Sequence, residues 1–287
     1  MNELDFIKMH GIGNDFVVLD VRGREFRMDP LTARAVADRH TGVGCDQVIS
    51  MEPSERADIF MRIHNHDGAE VGACGNATRC IGALMFEELG RKEITIETIS
   101  GLLRAWSAGD GQVRVDMGPA RLEWQQIPLA KAMDTLHVDL AIGPKSAPVL
   151  SDPVAVNMGN PHAVFFVDEA ETVDLATVGP MLENHPLFPE RANISVAQIL
   201  SRDALRLRVW ERGAGITQAC GSGACAAVVA AARRDLTERR IGIHLDGGWL
   251  EVEWMDSGHV EMTGPVATSF TGVLDRSLIA ERQDAAA

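Results

Sequence analysis

Hydrophobic residues alternate with polar ones, or cluster with β-branched and aromatic neighbours, in short runs along the chain: "FIKMH", "DFVVLD", "IFMRIH", "ITIETI" and "QVRVDM", then "VAVNM", "AVFFVD", "LRLRVW", "IGIHL", "WLEVEWM" and "HVEMT". Runs of this kind predict β-strands. Four segments carry a helical period instead, at about residues 31–39, 76–89, 175–184 and 222–235. In 76–89, Ala77, Cys80, Ile81, Leu84, Met85 and Leu89 fall along one side, whereas the "GACAAVVAAA" of the last segment is apolar all round. A helix without a polar face has to be enclosed by other elements.

The chain repeats itself. Placing "MRIHNHDGAEVGACGN" (residues 61–76) over "LRVWERGAGITQACGS" (207–222) aligns Arg62 with Arg208 and Cys74 with Cys220 at a shift of 146 residues, without a gap. The same shift superimposes Gly13-Asn14 on Gly159-Asn160, Gln47 on Asn193, Gly101 on Gly247, and Gly118-Pro119 on Gly264-Pro265. Ordered matches at one shift indicate a duplicated unit rather than chance. Many short strands around an enclosed helix, twice over, predict an α+β protein of two pseudo-symmetric domains, each a mostly antiparallel β-roll or barrel around its own central helix. The first domain is expected over 1–119, completed by 266–287, and the second over 120–265, with about 120–149 as the connection. The "DAAA" tail is set aside as low-complexity sequence.

Composition narrows the partners. A net charge of −14 over 287 residues opposes binding to nucleic acid, and a small-molecule partner is favoured. The N-terminal stretch has no signal-peptide pattern and the longest small-apolar run is too short to span a bilayer, so a cytoplasmic protein that does not engage a membrane is expected. Five cysteines, an odd number, argue against a disulfide framework, and their spacings do not fit a zinc knuckle; no metal is expected.

Cys74 and Cys220 each stand after a strand and just before a helix. Unsatisfied N–H groups and a partial positive charge at a helix start favour an anion, which would pull a thiol toward neutral acidity and let the amides of Gly75, Asn76, Gly221 and Ser222 hold a carboxylate. With one thiolate removing a proton from the α-carbon and a thiol supplying one to the opposite face, a stereocentre is inverted. Helix ends would stabilise the carbanion as its charge spreads into the carboxylate, so no cofactor is required. Cys45, Cys80 and Cys225 are read as packing residues.

"KMHGIGNDFVVLD", "RHTGVGCDQ", "HNHDGAEVGACGNATRC", "NMGNPHAV", "RANISVA" and "VWERGAGITQACGSGACA" follow one another in the order of the motifs of diaminopimelate epimerases, and the chain resembles that family over nearly its full length. The resemblance implies a cofactor-independent isomerase, a homodimer, that interconverts LL- and meso-2,6-diaminopimelate on the bacterial route to lysine and peptidoglycan. It implies Cys74 and Cys220 as the acid/base pair, and His162 and Glu211 as groups that flank the reacting centre. Asn14, Gln47, Asn65, Asn160, Asn193 and Arg212 are implied as further substrate contacts, with Arg212 suited to the distal carboxylate. Asn65 and His66 correspond to Glu211 and Arg212, a charge asymmetry fitting a substrate handled at one of two similar centres.

Four positions depart from the commoner family pattern: Ile216, Ala77, Cys45 and His66. They leave the thiols in place and bear on substrate identity. A racemase or epimerase of the same fold acting on proline, hydroxyproline or histidine is the alternative within this chemistry; a non-catalytic amino-acid binding module or a thiol-redox protein is the alternative outside it.

Overall fold

A computed structural model describes residues 4–144, 146–275 and 277–279; the "DAAA" tail lies outside them. In chain order the first stretch contains β1 (Leu4–Gly11), β2 (Asn14–Asp20), α1 (Pro30–Ala37), β3 (Gln47–Glu52), β4 (Ile59–Asn65), β5 (Glu70–Val71), α2 (Gly75–Leu89), β6 (Glu93–Thr98), β7 (Gly101–Gly109) and β8 (Gln112–Pro119). The second contains β9 (Ala141–Ile142), β10 (Leu150–Ser151), β11 (Val154–Asn157), β12 (Pro161–Phe166), α3 (Leu175–Glu183), β13 (Asn193–Ser201), β14 (Ala204–Glu211), β15 (Gly215–Ile216), α4 (Gly221–Arg233), β16 (Arg240–Leu245), β17 (Gly248–Trp254) and β18 (His259–Pro265). β19 (Ala267–Leu274) follows.

Two compact units result, one from the described residues within Met1–Val115 and Gly264–Ala287, the other from Asp116–Thr263. In the first unit the strands run β19-β1-β2-β3-β4-β6-β7-β8, antiparallel except at β2–β3 and β4–β6. The second repeats this from β11 to β18, with parallel steps at β12–β13 and β14–β16. A parallel step needs a crossover, and each of the four is supplied by a helix: α1 and α2 in the first unit, α3 and α4 in the second. The chain is therefore α+β, as expected, and mostly antiparallel in both units.

The central helices are α2, packed against β1, β6 and β7, and α4, packed against β11 to β14, β16 and β17. From Gly223 to Ala231 every residue of α4 is buried, which its all-apolar sequence demands. The one-sided reading of α2 needs correction. Its first two turns, Gly75 to Gly82, are buried all round, including the Arg79 side chain at 0% exposure, while Leu89 is 39% exposed. α1 starts at Pro30 because Asp29 accepts from the Leu31 and Thr32 amides at 2.8 and 2.9 Å, two donors a helix start otherwise leaves unmatched.

Two details differ from the sequence reading. The segment from Ala120 onward is more than a connection: Ile127, Leu129, Val138 and Leu140 are buried in the core of the second unit with Phe165 and Ile194. The shift of 146 holds from β3/β13 through the starts of α2 and α4, becomes 147 from the starts of β6/β16 to those of β8/β18, and is 146 again where β8 and β18 end, so Gly101, which opens β7, matches Gly248, which opens β17, rather than Gly247. Both glycines hold a positive φ, of 126° and 140°.

Candidate active site

Each of the two cysteines is the residue from which a central helix departs. Cys74 is the N-cap of α2, in extended conformation at φ −146° and ψ 112°; Cys220 is the N-cap of α4 at φ −107° and ψ 104°. The amides that follow, from Gly75 and Asn76 or from Gly221 and Ser222, are in the first helical turn, where no intrahelical acceptor exists. Glycine directly after each cysteine leaves the approach to those amides open.

Around Cys74 the first unit builds a polar chain. The hairpin from β1 to β2 turns on Ile12 and Gly13 at φ 48° and 91°, a two-residue turn with both centres left-handed, and it delivers Asn14 to the cysteine. Asn14 Oδ1 accepts from Asn76 Nδ2 at 3.1 Å and lies 3.7 Å from Cys74 Sγ, and Asn14 Nδ2 donates to Asp46 at 2.9 Å. Asn76 Oδ1 accepts from Arg79 at 2.8 Å. Gln47 and Asn65 face one another across β3 and β4, with Gln47 Nε2 donating to Asn65 Oδ1 at 2.9 Å. Gln47 Oε1 is buried and has no partner among the described residues, which suits it to a ligand amine.

Around Cys220 the second unit arranges different groups. Gly223 N–H donates to the sulfur at 3.3 Å and the Ser222 hydroxyl lies 3.7 Å away. Burial pushes the Cys220 thiol well above its ordinary range, and the adjacent negative charge of Glu211 adds to this against the two donors. The direction at Cys220 is therefore upward rather than toward neutrality, with burial as the largest cause and Glu211 next. Glu211 also accepts the Thr217 hydroxyl. His162 is fully buried, with Nε2 donating to Asn160 Oδ1 at 2.9 Å; burial, and then the Arg212 charge, lower it to about 3, so it is a neutral ring.

Asn193 is 2% exposed and holds the chain rather than opening to solvent: its Nδ2 donates to Pro161 O at 3.0 Å and its Oδ1 accepts from the Arg212 amide at 2.9 Å. Arg212 donates from Nη1 to Glu190 O at 2.8 Å. Glu183 braces the same loop, accepting from Trp210 Nε1 at 2.7 Å, Arg191 at 3.0 Å and the Gly213 amide at 3.1 Å. Glu183, Asp46, Asp15 and Arg79 were absent from the sequence-derived set. Their signal was a charged residue inside or beside an apolar motif, as in "GNDFVVLD" and "GCDQ".

Burial raises the Cys45 and Cys80 thiols to about 12, in keeping with packing. Of the four departures, Ala77 and Cys45 are buried in the first unit, and His66 and Ile216 are exposed. A cavity of about 400 Å³ sits by Phe86, Gly90 and Lys92, at the end of α2 opposite Cys74. Among the described residues no group of three metal-ligating side chains occurs, and no helix is long and apolar enough to cross a membrane.

Comparison with known proteins agrees with this geometry. The model of the family described as diaminopimelate epimerase matches residues 6–123 and 154–269. A diaminopimelate epimerase of Rhodospirillum centenum is 62% identical over 96% of this chain and 93% of its own, and one of Acidiphilium cryptum is 55% identical over 96% and 98%. Among solved structures, a hydroxyproline epimerase from Agrobacterium vitis superposes with a TM-score of 0.66 at 15% identity, covering 96% of this chain and 91% of that one. A Bacillus anthracis protein of the PhzF family reaches 0.68 at 15%, covering 96% and 100%. At such identity the solved structures share the fold, and the family model and the sequence relatives decide the rest: the chain belongs to the diaminopimelate epimerase family.

Proposed function

We propose that this chain is a cofactor-independent epimerase that interconverts LL- and meso-2,6-diaminopimelate with Cys74 and Cys220 as its two acid/base groups. The observation that carries the reading is the repeated placement of a cysteine at the N-cap of a central helix, in a chain of this family. The first-turn amides of α2 and α4 take the α-carboxylate, where they stabilise the charge that develops as the α-proton leaves; a preorganised donor of this kind contributes roughly 3–4 kcal/mol. Glu211, with neutral His162 nearby in the fold, takes the α-ammonium. An ammonium against Glu211 cancels the charge that helps hold the proton on Cys220, so substrate binding itself eases formation of the thiolate. One thiolate then accepts the α-proton and the other cysteine's thiol donates to the opposite face, and the roles exchange in the reverse direction. Arg212 takes the distal carboxylate, and Gln47 Oε1 accepts from an amine.

The family resemblance extends the proposal to a homodimer in the cytoplasm. Incubation in D2O with LL-diaminopimelate, alongside proline, hydroxyproline and histidine, tests the reaction. The reading expects deuterium at one α-carbon and formation of the meso isomer. Strong turnover of proline with none of diaminopimelate would replace it with the racemase reading, and absence of any α-exchange would leave a binding or redox protein.

A further inference from the structure

Both Asn14 and Asn76 carry a side-chain amide whose two ends differ chemically, so which end faces which neighbour decides what each neighbour meets. The ends of the chain they belong to settle the matter. Asp46 is a carboxylate and accepts only; Arg79 is a guanidinium and donates only. Asn14 must therefore turn its NH2 to Asp46, at 2.9 Å, and Asn76 its oxygen to Arg79, at 2.8 Å. What remains is a bond from Asn76 Nδ2 to Asn14 Oδ1 at 3.1 Å, with the same oxygen facing Cys74 Sγ at 3.7 Å.

The geometry points to Asp46 as a positioning residue that, with Arg79 at the far end, fixes the polarity of the Asp46–Asn14–Asn76–Arg79 chain and so presents Cys74 with an acceptor, favouring the protonated thiol. This rests on the reading of Cys74 as an acid/base group. Asp46 is itself held firmly. Its Oδ2 also accepts from the Asp15 amide at 3.2 Å and its Oδ1 from Arg39 at 2.8 Å, while the Asp46 amide donates back to Asp15 Oδ1 at 2.9 Å. Lys8 bonds both Asp15 and the carbonyl of Gly44, which ties the Asp46 loop to the β1–β2 hairpin. The charged groups around the chain are therefore Lys8, Asp15, Arg39 and Asp46 on one side and Arg79 on the other.

The duplication shows that the arrangement belongs to one unit. At the shift of 146, Asp46, Asn14, Asn76 and Arg79 correspond to Ala192, Asn160, Ser222 and Cys225, so only the first asparagine persists, and it is bonded to His162 instead. There the acceptor beside the thiol is Glu211. The two units thus reach one chemical result, a thiol facing an oxygen acceptor, by different residues. A reaction that runs both ways requires each thiol to hold the proton in turn, and each faces an oxygen that helps it do so.

Alkylation by iodoacetamide across about pH 6–10, resolved by peptide mass spectrometry, reads the acidity of the partly exposed Cys74 in the unliganded full-length protein. Asp46→Ala removes one of the two anchors of the Asn14 amide, leaving the 3.1 Å bond from Asn76 as the other, and the Cys74 midpoint is expected to fall by about one pH unit as the acceptor loosens. Asp46→Asn keeps an acceptor toward Asn14, because the Asp15 amide selects its oxygen for that side, and is expected to match the parent. A Cys74 midpoint unchanged in Asp46→Ala, or lowered equally by both substitutions, overturns the inference; the second result would assign the effect to charge rather than polarity. If Asp46→Ala does not fold, Asn14→Ala removes the acceptor directly and must lower the midpoint in the same way. The readout uses no substrate, so a protein that shows the shift but does not turn over diaminopimelate would sink the proposed reaction and leave this inference standing.

Discussion

His162 Nε2 donates to Asn160 Oδ1 at 2.9 Å from a ring with no solvent exposure, and its Nδ1 has no hydrogen-bond partner among the described residues. A neutral imidazole is therefore built into the second unit. Its acidity, lowered by burial and by Arg212 to about 3, lies well below the ordinary 6.5. Between those values the unfolded chain binds a proton that the folded one refuses, so folding stability falls as pH drops from about 6.5 toward 3, by at most about 1.4 kcal/mol per pH unit. Urea midpoints at pH 7, 6 and 5 should show a decline that is visibly shallower in His162→Gln. Equal slopes would mean that His162 titrates normally.

Asp15 supplies the opposite case at lower pH. Burial alone would raise its carboxyl, but bonds from Arg39 and Lys8 hold it at about 2, below the ordinary 3.8. Its stabilising contribution is present above about pH 4 and is lost as pH falls through 2. Asp15→Asn should therefore destabilise the protein at pH 7 and converge with the parent near pH 2, as followed by fluorescence-detected unfolding.

Cys74→Ala and Cys220→Ala are each expected to lower epimerisation by about 10³-fold or more while leaving the circular dichroism spectrum intact, since loss of either acid/base group stops inversion. Retention of most activity by both variants would eliminate the two-thiol mechanism.

Glu183, itself buried, anchors half-buried Trp210 together with Arg191 and the Gly213 amide, so Glu183→Ala leaves three donors without their acceptor. A loss of about 2–4 kcal/mol is expected from denaturant melts. Because Arg212 stands between two of the anchored positions, KM for diaminopimelate should rise more than kcat falls.

A Cβ built on Gly179 would lie 2.5 Å from the Trp210 ring. Gly179→Ala should cost about 1–3 kcal/mol by overpacking, with a changed tryptophan emission as Trp210 is displaced. Unaltered emission would show that α3 moves instead.

The duplication, the helices and the cysteine positions were legible because each leaves a one-dimensional trace: a constant shift, an apolar period, a glycine after a thiol. β3, β7, β13 and β19 were not read as strands, since "QVISME" and "GLLRAWSAG" alternate weakly and their identity depends on the neighbours they pair with. The family motifs point to the asparagines as substrate contacts, but nothing in them indicates that Asn193 would be spent on the Arg212 backbone, or that burial would raise the Cys220 thiol. Both outcomes depend on burial, which is a property of the assembled fold.

The change of shift from 146 to 147 falls beyond the central helix, where three residues join α2 to β6 and six join α4 to β16, while α4 is two residues shorter than α2. An insertion at that place lengthens a turn ahead of β16 and carries through unchanged to the start of β17. Had it fallen before the helix, it would have rotated the cysteine and its amides out of register with everything that addresses them. Each helix thus works as a spacer that lets one end of a repeat drift in length while the reactive end keeps its place.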